Sequence, residues 1–190
     1  MEQSLLDFRG PTDTIDCFTS DNARELIKVA KELKFCKRNS IPGVSETNGV
    51  GERANRTVLE GTRVVLLQAG FHESLWPLAS QYFCFMRNLT VREDDGKSPW
   101  TQRFGDNPNA AFRGLLIPFG SLINYRPSPL VEKSAEKRNP KFAPNTVEGL
   151  FLGYCVHPGG KWANSYLVAE LAPLQDLPYD QIVKKIKVQA

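Results

Sequence analysis

The residues best suited to chemistry lie in the segment SETNGVGERANRTVLEGTR, residues 45–63, where a polar loop leads into a helical pattern. Glu52 falls in the first turn of the predicted helix, and at about 100° per residue it shares a narrow sector with Arg56 and Arg63. A carboxylate beside two guanidinium groups suits a metal ligand next to a phosphate backbone, because the arginine fork matches phosphate oxygens. The alternative, which periodicity alone favours, is a solvated amphipathic helix with an Asn48 cap and i,i+4 charge pairs.

A second acid, Asp21, lies upstream, where an apolar run ends and a helical pattern begins. The end of a strand that leads into a helix is a common position for a catalytic carboxylate in open α/β sheets. Taken alone, Asp21 is better interpreted as a helix cap, because Asn22 and Glu25 can complete a variant of the capping box. The local sequence pattern leaves both interpretations of Asp21 open, as a catalytic carboxylate or as a helix cap.

Together, the segments SDNARELIKVAKEL and SIPGVSETNGVGERANR resemble the second and third acidic motifs of the copia-type retrotransposon integrase core. The later segments KSPWTQRFG, IPFGSLINYRPSP and KFAPNTVEGLFLGY resemble the region that lies C-terminal to that core in such polyproteins. The resemblance covers residues 8–168, and its motifs are specific in combination although each is weak alone. It implies a partial RNase H-like domain followed by a Src-homology-3-like domain of the same polyprotein.

The resemblance also implies metal-dependent DNA strand transfer, in which two Asp and one Glu hold a pair of divalent cations, Mg²⁺ or Mn²⁺. Asp21 matches the second acid and Glu52 the third, so both are expected catalytic and metal-binding residues. Asn55 and Arg56 match positions that approach the DNA end. With Arg53 and Arg63 they form the expected nucleic-acid-binding set, and the expected partner is DNA, contacted through its backbone without sequence preference.

The first acid of that motif has no counterpart. Asp13 and Asp16 are too close to Asp21 for a neighbouring parallel strand, which needs a crossover of about a dozen residues. Asp7 lies in LLDFRG, which resembles the end of a preceding helix. We therefore expect an N-terminally truncated, integrase-derived chain that is inactive in strand transfer and has an incomplete metal site. The lost neighbouring strands would leave residues 15–19 as an exposed sheet edge through which the chain could oligomerise.

Composition is that of an ordinary soluble protein, with 41% hydrophobic and 24% charged residues and a net charge of +3 over 190 residues. Basic residues cluster in residues 28–38 and 53–63, and such clustering governs phosphate binding more than total charge does. The four cysteines and two histidines lack zinc-site spacing, so the cysteines are expected to be small core residues in a reducing compartment. Neither a signal peptide nor a membrane span is evident, which predicts the nucleus or cytoplasm, no secretion and no membrane partner.

The chain is predicted to be α/β in four segments. Residues 1–92, the partial integrase core, alternate strand patterns (14–20 and 33–37) with helical ones (22–33, 48–68 and 73–87). Residues 93–113 form a linker with one short helix at 99–104. Residues 114–170 form a small antiparallel β-barrel, expected to stay soluble when expressed alone, and residues 171–190 are a C-terminal tail.

Two smaller features are predicted within these segments. A hairpin turn is expected at Gly159 and Gly160, because paired glycines separate two β-type runs. Core packing is expected for the aromatic run of the third helix, which consists of Trp76, Tyr82, Phe83 and Phe85.

Two other functions stay open. A domesticated nucleic-acid-binding module without catalysis would use the same arginine-bearing helix. A protein-interaction fragment in which only the barrel folds would leave the helix at residues 48–68 unprotected from hydrogen exchange.

Overall fold

The computed structural model describes residues 2–10, 13–20, 22–39, 41, 49–92, 96–105, 108, 110–126, 146–171 and 186–189. Helices in this part of the chain are α1 (Glu2–Arg9), α2 (Arg24–Glu32), α3 (Gly49–Ala69), α4 (Trp76–Leu89) and α5 (Pro99–Phe104), and a 3-10 turn, Glu73–Leu75, precedes α4. Strands are β1 (Cys17–Ser20), β2 (Cys36–Asn39), β3 (Leu122–Tyr125), β4 (Val147–Val156), β5 (Trp162–Glu170) and β6 (Ile186–Gln189). The predicted α/β class is confirmed.

β1 and β2 form a two-stranded parallel sheet, and α2 makes the crossover between them. A parallel pair requires such a crossover, so the strand, helix, strand order of the sequence leads directly to this βαβ unit. β2 begins at Cys36 rather than at residue 33, because Leu33 caps α2 and Lys34 turns the chain with a φ of 57°. Among the described strands β1 pairs with β2 alone, and oligomerisation through its other edge stays a prediction.

The start of α2 corrects one interpretation. Its N-cap is Ala23, with no side-chain hydrogen bond to the first turn, so the helix begins at Arg24. The interpretation of Asp21 as the cap of this helix is therefore wrong, because the capping position is two residues further along the chain. Asp21 itself lies outside the described residues, as do Asn48 and the loop before α3.

The chain divides into two compact units, Met1–Glu60 with Val156–Ala163, and Gly61–Cys155 with Asn164–Ala190. In the first unit, the end of α1 contacts the turn between β4 and β5, since the Gly159 amide donates to the Asp7 carbonyl over 2.5 Å. A Cβ added to Gly10 would lie 2.6 Å from the Gly159 Cα, so Gly10 has no room for a side chain. The predicted hairpin turn is confirmed: Gly159 and Gly160 have φ of 91° and 81°.

The second unit contains an antiparallel sheet with strand order β3-β4-β5-β6. Leu122 is opposite Leu150 between β3 and β4, and Tyr166 is opposite Gln189 between β5 and β6. Among the described strands the order is linear, with β3 and β6 at its two ends, so the sheet is open. The antiparallel sheet is therefore present, and its closure into a Src-homology-3-like barrel stays a prediction, as do the RNase H-like core and the domain limits at 92, 113 and 170.

The core of the second unit joins this sheet to the last turns of α3 and to α4. Its buried residues come from six parts of the chain: Leu66, Leu75, Ala79, Phe119, Leu152 and Ala169. Phe85 is 7% exposed, as expected for the aromatic run, whereas Trp76 is 59% exposed. Core packing of Trp76 is wrong: Leu75 and Ala79 at the same end of α4 are buried, whereas Trp76 lies on the side of the helix that faces solvent.

α5 has the predicted bounds. Ser98 caps it in a capping box with Thr101, and Pro99 occupies the first turn, where its missing N–H costs nothing. Trp100 is buried, and its indole nitrogen donates to the Ala110 carbonyl over 2.8 Å. The short linker helix is therefore anchored by one aromatic side chain with its polar group satisfied.

Candidate nucleic-acid interface

α3 carries five of the six candidate site residues. Glu52 is in its first turn, and only Thr62 and Leu66 of the helix are buried. The candidates Glu52, Arg53, Asn55, Arg56 and Arg63 are all exposed. α3 therefore offers an acid, an amide and three guanidinium groups to solvent.

Helical geometry divides these residues around the axis. Arg56 and Arg63 lie within about 40° of Glu52, whereas Arg53 lies about 100° to one side and Asn55 about 60° to the other. No salt bridge between Glu52 and these arginines is present in the described part of the chain. The guanidinium groups are thus available to an external anion.

Periodicity predicts one core-facing apolar side of α3, formed by Val50, Ala54, Val58, Val65 and Ala69. The structure differs from this prediction in the first half of the helix. Val50 is 75% exposed and Ala54 is exposed, whereas Val65 and Ala69 pack against the core of the second unit. Burial requires a facing surface, and no described element covers the first two turns of the helix. Apolar side chains are also exposed further along it, with Leu59 at 57% and Leu67 at 81%.

The second basic cluster lies on α2, on β2 and in the turn between them. Lys28, Lys31 and Lys34 are exposed, and Lys28 makes an ion pair with Glu32 at 3.8 Å. Such an exposed pair contributes little to stability, about 0 to 1 kcal/mol, so Lys28 can exchange its partner for a phosphate at low cost. Arg38 is exposed on β2.

The predicted metal site is not assembled by the described residues. Among them, no group of three or more His, Cys, Asp or Glu side chains could hold a metal ion. Glu52 is described but Asp21 is not. Asp7 lies on α1, as its sequence indicated, and its carboxylate accepts a hydrogen bond from Gln3 over 2.8 Å. Binding of Mg²⁺ or Mn²⁺ stays a prediction.

Sequence reasoning missed the arrangement of the cysteines. Cys17 and Cys36 are exposed and lie directly opposite each other on β1 and β2, so the expectation that they are core residues is wrong. A hydrogen bond with the Cys17 thiol raises the pKa of Cys36 above its usual value. Each cysteine is the first residue of its strand, and aligning the two predicted parallel strands by their starts could have found the pair.

None of the described helices has the length and apolar character that a membrane span requires.

Comparison with known proteins shows a similarity to a transposon polyprotein. No protein-family model matches the chain, and no solved structure matches it. The chain is similar to the retrovirus-related Pol polyprotein from transposon TNT 1-94 of Nicotiana tabacum, with 26% identity over 132 residues. The match covers 70% of this chain and 9% of that much longer polyprotein. This similarity supports a retrotransposon origin for the chain.

Proposed function

We propose that this chain is a DNA-binding segment of a copia-type integrase, working in the nucleus or cytoplasm. In this proposal, residues 1–92 belong to an RNase H-like core, and residues 93–113 link it to a Src-homology-3-like domain at 114–170. Residues 171–190 follow this domain and contain β6, which pairs with β5. The observation that carries the proposal is the parallel βαβ unit followed by α3. Asp21 directly follows β1 in the sequence, and Glu52 is in the first turn of α3, which is the order expected of the second and third acids.

DNA binding follows from the exposure and chemistry of α3. Its arginines Arg53, Arg56 and Arg63 are exposed, and guanidinium groups bind phosphate oxygens in a fork geometry that lysine cannot reproduce. Asn55 adds a neutral donor and acceptor on the same helix. In this proposal the arginines contact the phosphate backbone of DNA, and such contacts carry little sequence information.

Catalysis is not part of the proposal for this chain alone. Asp21 and Glu52 supply two acids of a motif that uses three, and the described residues assemble no metal site. Mg²⁺ or Mn²⁺ would supply charge stabilisation and activation of the attacking hydroxyl in a complete site. We assign no metal-dependent step here, and we propose a catalytically incomplete integrase remnant.

Salt dependence of DNA binding tests the proposal. Each phosphate contact contributes about −0.9 to the slope of log affinity against log salt for duplex DNA. Titration of a labelled duplex at several salt concentrations should therefore give a steep slope. The combined change Arg53→Ala, Arg56→Ala and Arg63→Ala should reduce the magnitude of that slope by roughly two to three.

The matched control removes the same charge elsewhere. Arg87, Arg103 and Lys161 are exposed on α4, on α5 and in the β4–β5 turn, and their triple alanine variant should keep most of the slope. An equal loss in both variants would mean that net charge, and not α3, governs binding. A flat salt response in the unmodified chain would contradict the proposal.

The same titration separates the alternatives. A domesticated nucleic-acid-binding module without chemistry would give the same slope and the same dependence on α3, and differs from an integrase remnant in its cellular role alone. A protein-interaction fragment has no reason to bind DNA, so the absence of salt-dependent binding would favour it.

A further inference from the structure

Two exposed thiols face each other across the small parallel sheet. Cys17 and Cys36 are register partners on β1 and β2, so their side chains project from the same face of the sheet. Neighbouring strands lie about 4.8 Å apart, which is within the range of about 4.4 to 6.8 Å between Cα atoms that a disulfide requires. Both cysteines are free, and both are exposed to small molecules in solvent.

The electrostatics of the pair agree with this register. The Cys17 thiol raises the pKa of Cys36 above its usual value, as expected when the pairing of β1 with β2 brings two thiols together. The other two cysteines are less accessible to solvent than Cys17 and Cys36. Cys84 on α4 is half-buried, and burial raises the pKa of its thiol, while Cys155 on β4 is also half-buried.

We propose that Cys17 and Cys36 form a reversible thiol–disulfide site whose co-substrates are low-molecular-weight disulfides such as oxidised glutathione. The thiolate of one cysteine attacks a sulfur of the small disulfide, forming a mixed disulfide and releasing one thiolate. The thiolate of the second cysteine then attacks the protein sulfur of that mixed disulfide and releases the other small thiolate. Both cysteines are oxidised, one disulfide is reduced to two thiols, and the two protons pass to the released thiolates.

Oxidation would fix the βαβ unit. The disulfide closes a loop that contains α2 and ties the start of β1 to the start of β2. Closure of a loop of this length restricts the unfolded ensemble and should lower the population of the opened βαβ unit by on the order of 100-fold. Since α2 carries the lysines Lys28 and Lys31, the state of the two thiols would also set how rigidly these charges are held.

The test uses the full chain in a Cys84→Ser, Cys155→Ser background, which leaves the pair alone. After incubation with oxidised glutathione, the expected product is monomeric, has lost two hydrogens and carries no glutathione. Tryptic mapping should show the peptide with Cys17 joined to the peptide with Cys36, and reduced glutathione should reverse the bond. Hydrogen exchange of β1 and β2 amides should slow by on the order of 100-fold on oxidation.

Two comparisons make the result decisive. The complementary chain, with Cys17→Ser and Cys36→Ser, should form no internal disulfide under the same conditions. Stable glutathione adducts at Cys17 or Cys36, or disulfide-linked dimers through them, would overturn the proposal. An internal disulfide that leaves the exchange of β1 and β2 unchanged would overturn the stabilising role.

Discussion

At the residue scale, single polar groups hold the second unit together at defined points. The Tyr154 hydroxyl accepts a hydrogen bond from the Ile117 amide over 3.0 Å and donates one to the Leu115 carbonyl over 2.8 Å. Burial raises the pKa of Tyr154, so the hydroxyl stays protonated and able to donate at neutral pH. Its ring stacks on Phe85 with 4.4 Å between centroids. This one side chain therefore joins β4, α4 and the segment before β3.

We predict that Tyr154→Phe lowers the free energy of unfolding by about 1 to 2 kcal/mol, because it keeps the ring but leaves an amide and a carbonyl without their partner. Tyr82→Phe is the matched control, since Tyr82 donates one longer bond, 3.2 Å, to the Ile117 carbonyl. Its expected cost is below about 1 kcal/mol. Chemical denaturation at neutral pH measures both. Equal costs would show that the Tyr154 bonds are replaced by water.

A second residue-scale prediction concerns the acids. The purified chain should show no strand transfer or end processing of oligonucleotides with Mg²⁺ or Mn²⁺, because two cations held about 3.5 to 4 Å apart need a bridging acid besides Asp21 and Glu52. Gel analysis of labelled duplex ends measures this. Robust joining that Glu52→Gln abolishes would contradict the prediction and reveal a substitute acid.

At the element scale, α3 and α4 approach each other closely. Gly61 lies in the interior of α3, where a Cβ would overlap the ring of Phe83 on α4. A glycine inside a helix usually costs about 0.5 to 1 kcal/mol relative to alanine. Its presence at this position is explained by the packing of the aromatic ring, which occupies the volume that a methyl group would need.

Gly61→Ala should therefore destabilise the protein by about 1 to 3 kcal/mol, against the helix preference, because it overpacks the contact with Phe83. Gly49→Ala is the control, since nothing lies within 4 Å of a Cβ at that position of the same helix. It should be neutral or slightly stabilising. Thermal unfolding of both variants, and of Gly61→Ala combined with Phe83→Leu, measures the coupling. A stabilising Gly61→Ala change would mean that the ring moves aside without cost.

At the scale of the whole molecule, the antiparallel sheet does not form its core alone. Phe119, Leu152 and Ala169 belong to the sheet side of the core, whereas Leu66, Leu75 and Ala79 come from α3, the 3-10 turn and α4. Full burial of one large apolar side chain contributes about 1.5 to 3 kcal/mol. Loss of the helical contribution would therefore remove several kcal/mol and expose the sheet face to solvent.

Residues 61–190 should accordingly melt cooperatively as a monomer, whereas residues 114–190 should be unstable or aggregate. This differs from the expectation, drawn from the barrel pattern alone, that residues 114–170 stay soluble by themselves. Size-exclusion chromatography and thermal melting of the two fragments measure the difference. A monomeric, cooperatively melting 114–190 fragment would show that the sheet closes its own core.

Local signals in the sequence determined the elements that depend on neighbouring residues. The α5 bounds follow from Ser98, Pro99 and Thr101, and the β4–β5 turn follows from paired glycines, because caps and turns are set by contacts within a few residues. The βαβ order could be predicted for the same reason, as a periodicity of 2 changes to one of 3.6 and back again.

Tertiary structure alone decided which surfaces are covered. Periodicity marked Val50, Ala54 and Trp76 as core residues, and all three are exposed, while Leu66 became part of the core. Tertiary structure also fixed the register in which Cys17 lies opposite Cys36. The physical reason is the same in each case. An apolar stripe indicates that a side chain is suited to burial, but both burial and strand register depend on a second surface from a distant part of the chain.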